Sequence, residues 1–276
     1  MQKRTLSTRE VLAGYDAISH LYPNILPLCI WRAWEFAAYQ NLNIKEPVLD
    51  FGCGDGQFFR LLWPNAKEVI GLDSNYFLLG SALKSGTYHK VCTGQGQKIP
   101  FKENSFNSVL ANCSIEHMNN VDLVINEIYR CMRKGGLFIA SIVTDKIIEW
   151  TTLPLLISII GEPKKAEILQ NKYIEYHNLV NPLSLEIWIR LITDAGFEIF
   201  ECTPIVPEMT SRFFLFLDHL WHVDGSSGEV GSQIYDYLNN HSNSKQSLRK
   251  IYHGILDMDN DWSIGSGAII FARRCK

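Results

Sequence analysis

The residues best able to do chemistry begin with one short run, VLDFGCGDG at positions 48–56. An apolar tetrapeptide leads into three alternating glycines, Gly52, Gly54 and Gly56, followed by a helical stripe of Phe58, Phe59, Leu61 and Leu62. A buried strand ending in such a turn lets the backbone come close to a ligand. The N–H groups that open the helix then favour an acceptor atom or a carboxylate. A dinucleotide-binding turn requires a further glycine at position 57 to pack helix on strand. That position holds Gln57, and Asp55 stands where a pyrophosphate would lie. Nicotinamide dinucleotides are disfavoured on both counts. Asp73 ends the next apolar run, about twenty residues downstream, where a carboxylate can accept hydrogen bonds from both hydroxyls of a ribose.

These residues need a scaffold, and the surrounding periodicities supply one. Residues 7–45 are aromatic-rich and helical in pattern up to Pro47. Strands are expected at 48–51, 68–72, 90–93, 106–113 and 137–143, with helices over 75–84 and 121–132. Gly135-Gly136 reads as a break before the 137–143 strand. Strand and helix alternate with short connections, which calls for a parallel sheet covered by helices on both faces. The rhythm fails from 144 to 182. It resumes with the helix pattern LSLEIWIRLITDAGF and the strand FEIFECT, then fails again until the closing apolar strand SIGSGAIIFARR. The fold expected is a Rossmann-like, doubly wound α/β sheet, mostly parallel with an antiparallel last strand, carrying helical cap insertions. The expected organisation is a helical cap at 1–46, an α/β core at 47–143 continued by 183–203 and 263–276, and cap insertions at 144–182 and 204–262.

Composition narrows the function classes. Among 276 residues, 26 Lys+Arg face 29 Asp+Glu for a net charge of −3, and 46% are hydrophobic. This excludes a disordered chain and disfavours a general nucleic-acid binder, which shows a strongly basic face. No apolar run approaches the ~20 residues of a membrane span. The start MQKRTLSTREVLAG lacks the apolar segment of a secretory signal. A cytoplasmic location is expected. Seven scattered cysteines form no CxxC pair and no Cys/His cluster with zinc spacing, so no metal site and no disulfide framework are expected. Nothing in the composition specifies an oligomeric state.

Four blocks in order, VLDFGCGDG, GLDSN (71–75), TGQGQKIPFKENSFNSVLANCSIEHM (93–118) and INEIYRCMRKGGLFIAS (125–141), resemble the class I S-adenosylmethionine-dependent methyltransferases. The resemblance is strongest to the small-molecule group that includes the ubiquinone/menaquinone C-methyltransferases. It implies S-adenosylmethionine as cofactor. Asp50, Gly52, Cys53 and Gly54 match the motif that holds the methionine part, and Asp73 with Ser74 matches the ribose site. Leu78 matches the apolar residue on adenine. Gln95, beside Gly96, falls where the family usually has an Asp for the adenine amino group. Asn112 and Cys113, followed by Ser114, match the strand end near the reactive methyl. GYDAISHLY (14–22) resembles a cap helix whose tyrosine closes over the sulfonium, which makes Tyr15 the expected gate.

The donor's sulfonium already activates its methyl group, so the protein's main task is alignment and exclusion of water. Where the acceptor must lose a proton, His117 in Ile115-Glu116-His117 is the expected base; the competing reading is that Glu116 and His117 hold the next helix in place. Tyr173, Tyr176 and His177 form a second acid/base set, or the face of an ordinary amphipathic helix. Aromatic residues in the two irregular stretches, Trp150, Phe213, Phe214 and Trp221 among them, suggest a small, largely apolar acceptor: a lipid, quinone, isoprenoid or natural-product intermediate. The competing functions are an RNA or protein methyltransferase on the same fold and a non-catalytic S-adenosylmethionine-binding protein. NCSIEH stands where an amino-methylating nucleic-acid enzyme carries Asn/Asp-Pro-Pro-Tyr/Phe.

Overall fold

The computed structural model describes residues 1–23, 25–226 and 228–275. Its centre is an eight-stranded sheet. In chain order the strands are β1 (Gln2–Lys3), β2 (Val48–Phe51), β3 (Val69–Asp73), β4 (Lys90–Thr93), β5 (Phe106–Asn112), β6 (Met132–Val143), β7 (Phe197–Ile205) and, after the two-residue pair β8 (Asp224–Gly225) and β9 (Gly228–Glu229), β10 (Gly267–Arg274). The spatial order is β1-β7-β10-β6-β5-β2-β3-β4. Strands β2 to β6 pair in parallel, and β10 runs antiparallel between β6 and β7. The expected α/β fold, antiparallel last strand included, is the one observed.

The strand order turns back on itself at β2, which has β3 on one side and β5 on the other. Ligands of open α/β sheets bind in the crevice beyond the carboxyl ends of such strands. The glycine turn leaves β2 there and Cys113 follows β5, so topology alone brings these two distant segments together.

Alternation along each strand sends side chains to two separate apolar layers. Leu49, Val109, Phe138 and Ile270 face one way, and Val48, Leu110, Ile139 and Ile269 face the other. Helices α5 (Val121–Cys131) and α9 (Leu185–Asp194) cover the first face, contributing Ile125, Ile128, Trp188 and Ile192. The second face is covered by α1 (Thr8–Leu21), α2 (Leu26–Tyr39), α3 (Gln57–Leu62) and α4 (Tyr76–Lys84). Ser7 caps α1 in a reciprocal box with Glu10, satisfying two backbone donors at once.

The chain between β6 and β7 also contains α6 (Lys146–Glu149), α7 (Thr152–Ile159) and α8 (Pro163–Tyr176). Between β7 and β10 lie α10 (Glu208–Trp221), α11 (Val230–Asn239) and α12 (Ser244–Leu256). The irregular stretches are therefore helical, and their aromatic residues Tyr173 and Phe214 join the buried layer that holds α1 and α2. One expectation is corrected. Gly135-Gly136 does not break the chain before a strand; β6 runs through it from Met132, and the pairing with β5 jumps from Phe106–Met132 to Ser108–Leu137. Gly135 sits at φ +76°, so the pair builds a bulge that only glycine enters without strain. Among the described residues no helix is long and apolar enough to cross a membrane.

Candidate active site

The glycine turn is held in a conformation that its residues select. Gly52 lies at φ +78°, and a Cβ there would come 2.5 Å from the Cβ of Ser114. The Gly52 and Cys53 N–H groups both donate to Leu72 O. The Gly54 N–H donates to Asp73 Oδ2 at 2.9 Å, and Asp73 Oδ1 accepts the Asn75 N–H at 2.8 Å. Two backbone bonds thus aim the Asp73 carboxylate, while each oxygen keeps a lone pair for a ligand.

A groove of about 680 Å³ runs past this carboxylate, with Gly52, Asp73, Ser74, Gln95, Gly96, Cys113 and His117 in its walls. Leu72, Phe51 and Met118 supply its apolar surface. On the other side of the turn a smaller cavity of about 110 Å³ is walled by Asp50, Gly52, Cys53, Gly54 and Asn112, with Tyr22 and Arg32. Asp50 is buried and accepts the Tyr88 hydroxyl at 2.5 Å. Burial, with the Asp73 charge adding to it, pushes the Asp50 carboxyl up to about 7 against the Tyr88 hydrogen bond.

The structure thus gathers nearly all of the expected cofactor residues around one turn. Leu78 is the exception. It is 39% exposed and lines neither space, because α4 turns Leu79 and Ala82 to the core and leaves Leu78 outside that face. Tyr15 is the second correction. It is 3% exposed on the inner face of α1, its ring 5.1 Å from that of Tyr252, and it lines none of these spaces. Tyr22, two helical turns on at the end of α1, is the tyrosine that reaches the turn.

A third cavity, of about 350 Å³, lies beside the groove. Its wall is mainly apolar and comes from every helical excursion: Trp31 from α2, Ile147 from α6, Tyr173 from α8, and Phe214 and Trp221 from α10. Trp31 and Phe214 pack ring to ring at 5.6 Å. Cys113 and His117 line both this cavity and the groove, so they mark where the two spaces meet.

The strand end that carries them is under tension. Cys113 sits at φ +46°, a left-handed conformation that costs a non-glycine residue of order 1–3 kcal/mol. A network around Glu35, which is fully buried on α2, holds it there. Glu35 accepts Cys113 Sγ at 2.9 Å, Ser141 Oγ at 2.6 Å, Trp31 Nε1 at 3.2 Å and Arg32 Nη1 at 2.6 Å. Asn112 Nδ2 donates to it as well, and Tyr39 donates to Asn112 Oδ1 at 2.6 Å. Burial, reinforced by Glu35, pushes the Cys113 thiol well above its ordinary range, so this sulfur is no nucleophile. Nothing in the run WRAWEF sets Glu35 apart from a solvated helix position. Its importance comes from donors that lie 77 to 106 residues away.

His117 Nδ1 lies 3.0 Å from the carbonyl of Asn178, which can only accept, so Nδ1 carries the proton and Nε2 is left as an acceptor. Burial lowers the His117 pKa and favours the neutral ring. Glu116, its neighbour, also lines the apolar cavity. It is fully buried, and neither carboxyl oxygen has a hydrogen-bond partner among the described residues. Burial pushes its carboxyl up to about 8.

Tyr173 donates to Asp218 Oδ2 at 2.9 Å, and His177 Nε2 lies 3.0 Å from the same oxygen. His177, Asp218 and His222 each bring one donor atom within 4.8 Å of the other two, a grouping of metal-ligating types that the cysteine spacing did not point to. Asp218 and His222, four apart at the end of α10, share a helix face, a spacing visible in the sequence; His177 comes from the other excursion.

Residues 49–140 match the Methyltransferase domain family. The chain carries a class I S-adenosylmethionine-dependent methyltransferase domain. It is 26% identical over 142 residues to the demethylmenaquinone methyltransferase of Symbiobacterium thermophilum, covering 47% of this chain and 55% of that protein. It is 32% identical over 108 residues to the malonyl-[acyl-carrier protein] O-methyltransferase of Legionella pneumophila, covering 37% of this chain and 38% of that one. The matches thus span about half, or less, of these relatives' lengths. A solved structure described as an S-adenosylmethionine-dependent methyltransferase, possibly a histamine N-methyltransferase, from Thermotoga maritima superposes with a TM-score of 0.57 at 18% identity. That match covers 94% of this chain and 97% of the other, and it speaks for the fold of the methyltransferase domain and of the helices around it.

Proposed function

We propose that the protein transfers a methyl group from S-adenosylmethionine to a small, largely apolar organic acceptor. One observation carries this reading: the polar groove beside the glycine turn and the apolar cavity under the helices meet at Cys113 and His117. When bound, S-adenosylmethionine supplies a methyl group on a sulfonium leaving group. The residues present fit it. The Asp73 carboxylate, aimed by two backbone N–H groups, accepts the ribose hydroxyls, and Ser74, Gln95 and Gly96 line the far end of the groove. Asp50, Gly52, Cys53, Gly54 and Asn112 surround the methionine end.

In this reading residues 47–143, 183–203 and 263–276 are the cofactor-binding core. Residues 1–46, 144–182 and 204–262 are the cap that chooses the acceptor and keeps water from it. His117 Nε2 takes the acceptor's proton where one must leave. The relatives named for quinone and acyl-carrier substrates, together with the apolar cavity wall, support a small-molecule acceptor over a nucleic acid.

Calorimetry with S-adenosylhomocysteine tests the cofactor assignment. Asp73→Ala removes an anionic acceptor whose hydrogen bonds are worth ~1.5–3 kcal/mol each, so binding weakens at least about tenfold. An unchanged dissociation constant refutes it. Incubation with cell extract and the methyl donor, followed by mass spectrometry for products one methylene heavier, tests turnover. Binding without any such product across extracts and acceptor panels turns the reading to a non-catalytic binder.

A further inference from the structure

The part of the cavity wall built by α8 and α10 carries three groups that methyl transfer gives no task. Asp218 is 6% exposed near the end of α10, His222 follows it by one turn, and His177 closes α8. His177 Nε2 stands 3.0 Å from Asp218 Oδ2, and His222 Nε2 stands 3.5 Å from Asp218 Oδ1. One donor atom from each residue lies within 4.8 Å of the other two, and all three residues line the apolar cavity.

Ordinary ion pairing explains the cluster incompletely. Within the ligand set His177 Nε2 is buried without a directed hydrogen bond, although Asp218 Oδ2 lies 3.0 Å away; on the outer side of its ring His222 Nδ1 is left in the same way by Glu229 at 3.5 Å. The distances suffice for attraction, but the directions fail for a hydrogen bond, and buried polar atoms left so cost ~1–3 kcal/mol each. Ligands about 2.1 Å from one shared ion stand roughly 3.0 Å apart at a right angle and about 3.4 Å apart at a tetrahedral one. The two histidine–carboxylate separations are of this size, and the two imidazoles approach within 4.8 Å of each other. Outer partners orient the set as metal ligands require: Tyr173 donates to Asp218 Oδ2 at 2.9 Å. Tyr176 donates at 3.1 Å to Glu229 Oε1, itself 3.5 Å from His222 Nδ1.

We propose that His177, Asp218 and His222 bind one divalent transition-metal ion in the wall of the acceptor cavity. Two imidazoles and a carboxylate suit Zn²⁺ and its neighbours rather than Mg²⁺ or Ca²⁺. Three protein ligands leave a coordination position toward the cavity that they line. Resting on the methyl-transfer reading, that position holds an acceptor through an oxygen or nitrogen donor and lowers the pKa of that donor.

The test uses the full chain, stripped with chelator and titrated with Co²⁺ and Zn²⁺ in the absence of methyl donor. One ion per chain is expected, with the visible absorption of Co²⁺ in a site of low symmetry. His177→Gln and His222→Gln each weaken binding more than about a hundredfold, since loss of even an outer partner costs roughly 10–100-fold. Diethyl pyrocarbonate labelling of the unsubstituted protein gives a readout free of any folding defect. Zn²⁺ protects His177 and His222, while the exposed His20 and His241 react as before. No binding, binding unchanged in both variants, or equal labelling of His177 and His222 with and without Zn²⁺ overturns the site. S-adenosylhomocysteine binding, measured separately, fails only if the methyl-donor assignment fails.

Discussion

Glu116→Gln turns the buried carboxyl into a measurable pH dependence of stability. Glu116 is fully buried, its oxygens lack protein partners, and burial moves its pKa from 4.5 to about 8. The native state therefore keeps a proton that the unfolded chain gives up above about pH 4.5. The group is no burden below that value. As pH rises stability is lost at about 1.4 kcal/mol per unit, until the native carboxyl itself ionises. Between about pH 5 and pH 7 the wild-type protein should lose close to 2.7 kcal/mol through this group, and no more than about 5 kcal/mol in all. Glutamine has the same shape and does not titrate. Any cost of burying its amide is the same at every pH, so the slope alone reports the carboxyl. Asp50, pushed up to about 7, tilts both proteins equally and cancels in the difference. Urea unfolding of the two proteins at about pH 5, 6 and 7, followed by tryptophan fluorescence, gives that difference directly. The variant should gain on the wild type by roughly 1.4 kcal/mol per pH unit. Parallel stability curves would refute a carboxyl held neutral beside the cavity.

Two further substitutions separate the turn from the cap. Gly52→Ala forces a side chain at φ +78° into the Cβ of Ser114, 2.5 Å away. A loss of about 1–3 kcal/mol is expected. It is visible as a fall in melting temperature of about 2–4 °C per kcal/mol together with loss of S-adenosylhomocysteine binding, and a melting temperature within one degree of wild type would count against the observed turn. Phe214→Ala removes the ring that packs on Trp31 at 5.6 Å. It should raise the acceptor's Michaelis constant while leaving the S-adenosylhomocysteine dissociation constant within about twofold, since two-thirds or more of interface truncations move affinity little. A lowered melting temperature with an unchanged acceptor Michaelis constant would mean that α10 only packs the fold.

The core was legible because its signals are local. A strand, a turn and a helix start are written within VLDFGCGDG, and Asp73 is reached by counting one unit further. Gly135 was misread for an equally local reason: a glycine pair ends a strand or kinks one, and only the partner β5 decides between them. Leu78 and Tyr15 failed on helical phase. A rotation of one residue separates Leu78 from the buried face that carries Leu79, and the inner face of α1 carries Tyr15 into the packing against Tyr252.

His117, Tyr173, Phe214 and Trp221 were picked out from the sequence and do line the apolar cavity, but two carboxyl groups near them were missed for a different reason. Glu35 and Asp218 look like surface positions on amphipathic helices, and each acquires its meaning only from groups brought in by other segments. For Glu35 these come from β5 and β6; for Asp218 they come from α8. Both are buried carboxyl groups, Asp218 in the wall of the cavity and Glu35 behind the wall residues Trp31 and Cys113, and the two are satisfied differently. Glu35 takes five donors and fixes the strained Cys113 at the meeting point of the two spaces. Asp218 takes one directed hydroxyl, and beside it the ring nitrogen Nε2 of His177 is left without an aligned partner. A closed network favours one geometry, whereas an open one is finished by a ligand. On the proposed function, that difference puts rigidity at the cofactor end of the cavity and unspent binding capacity at the cap end, where the acceptor would be told apart.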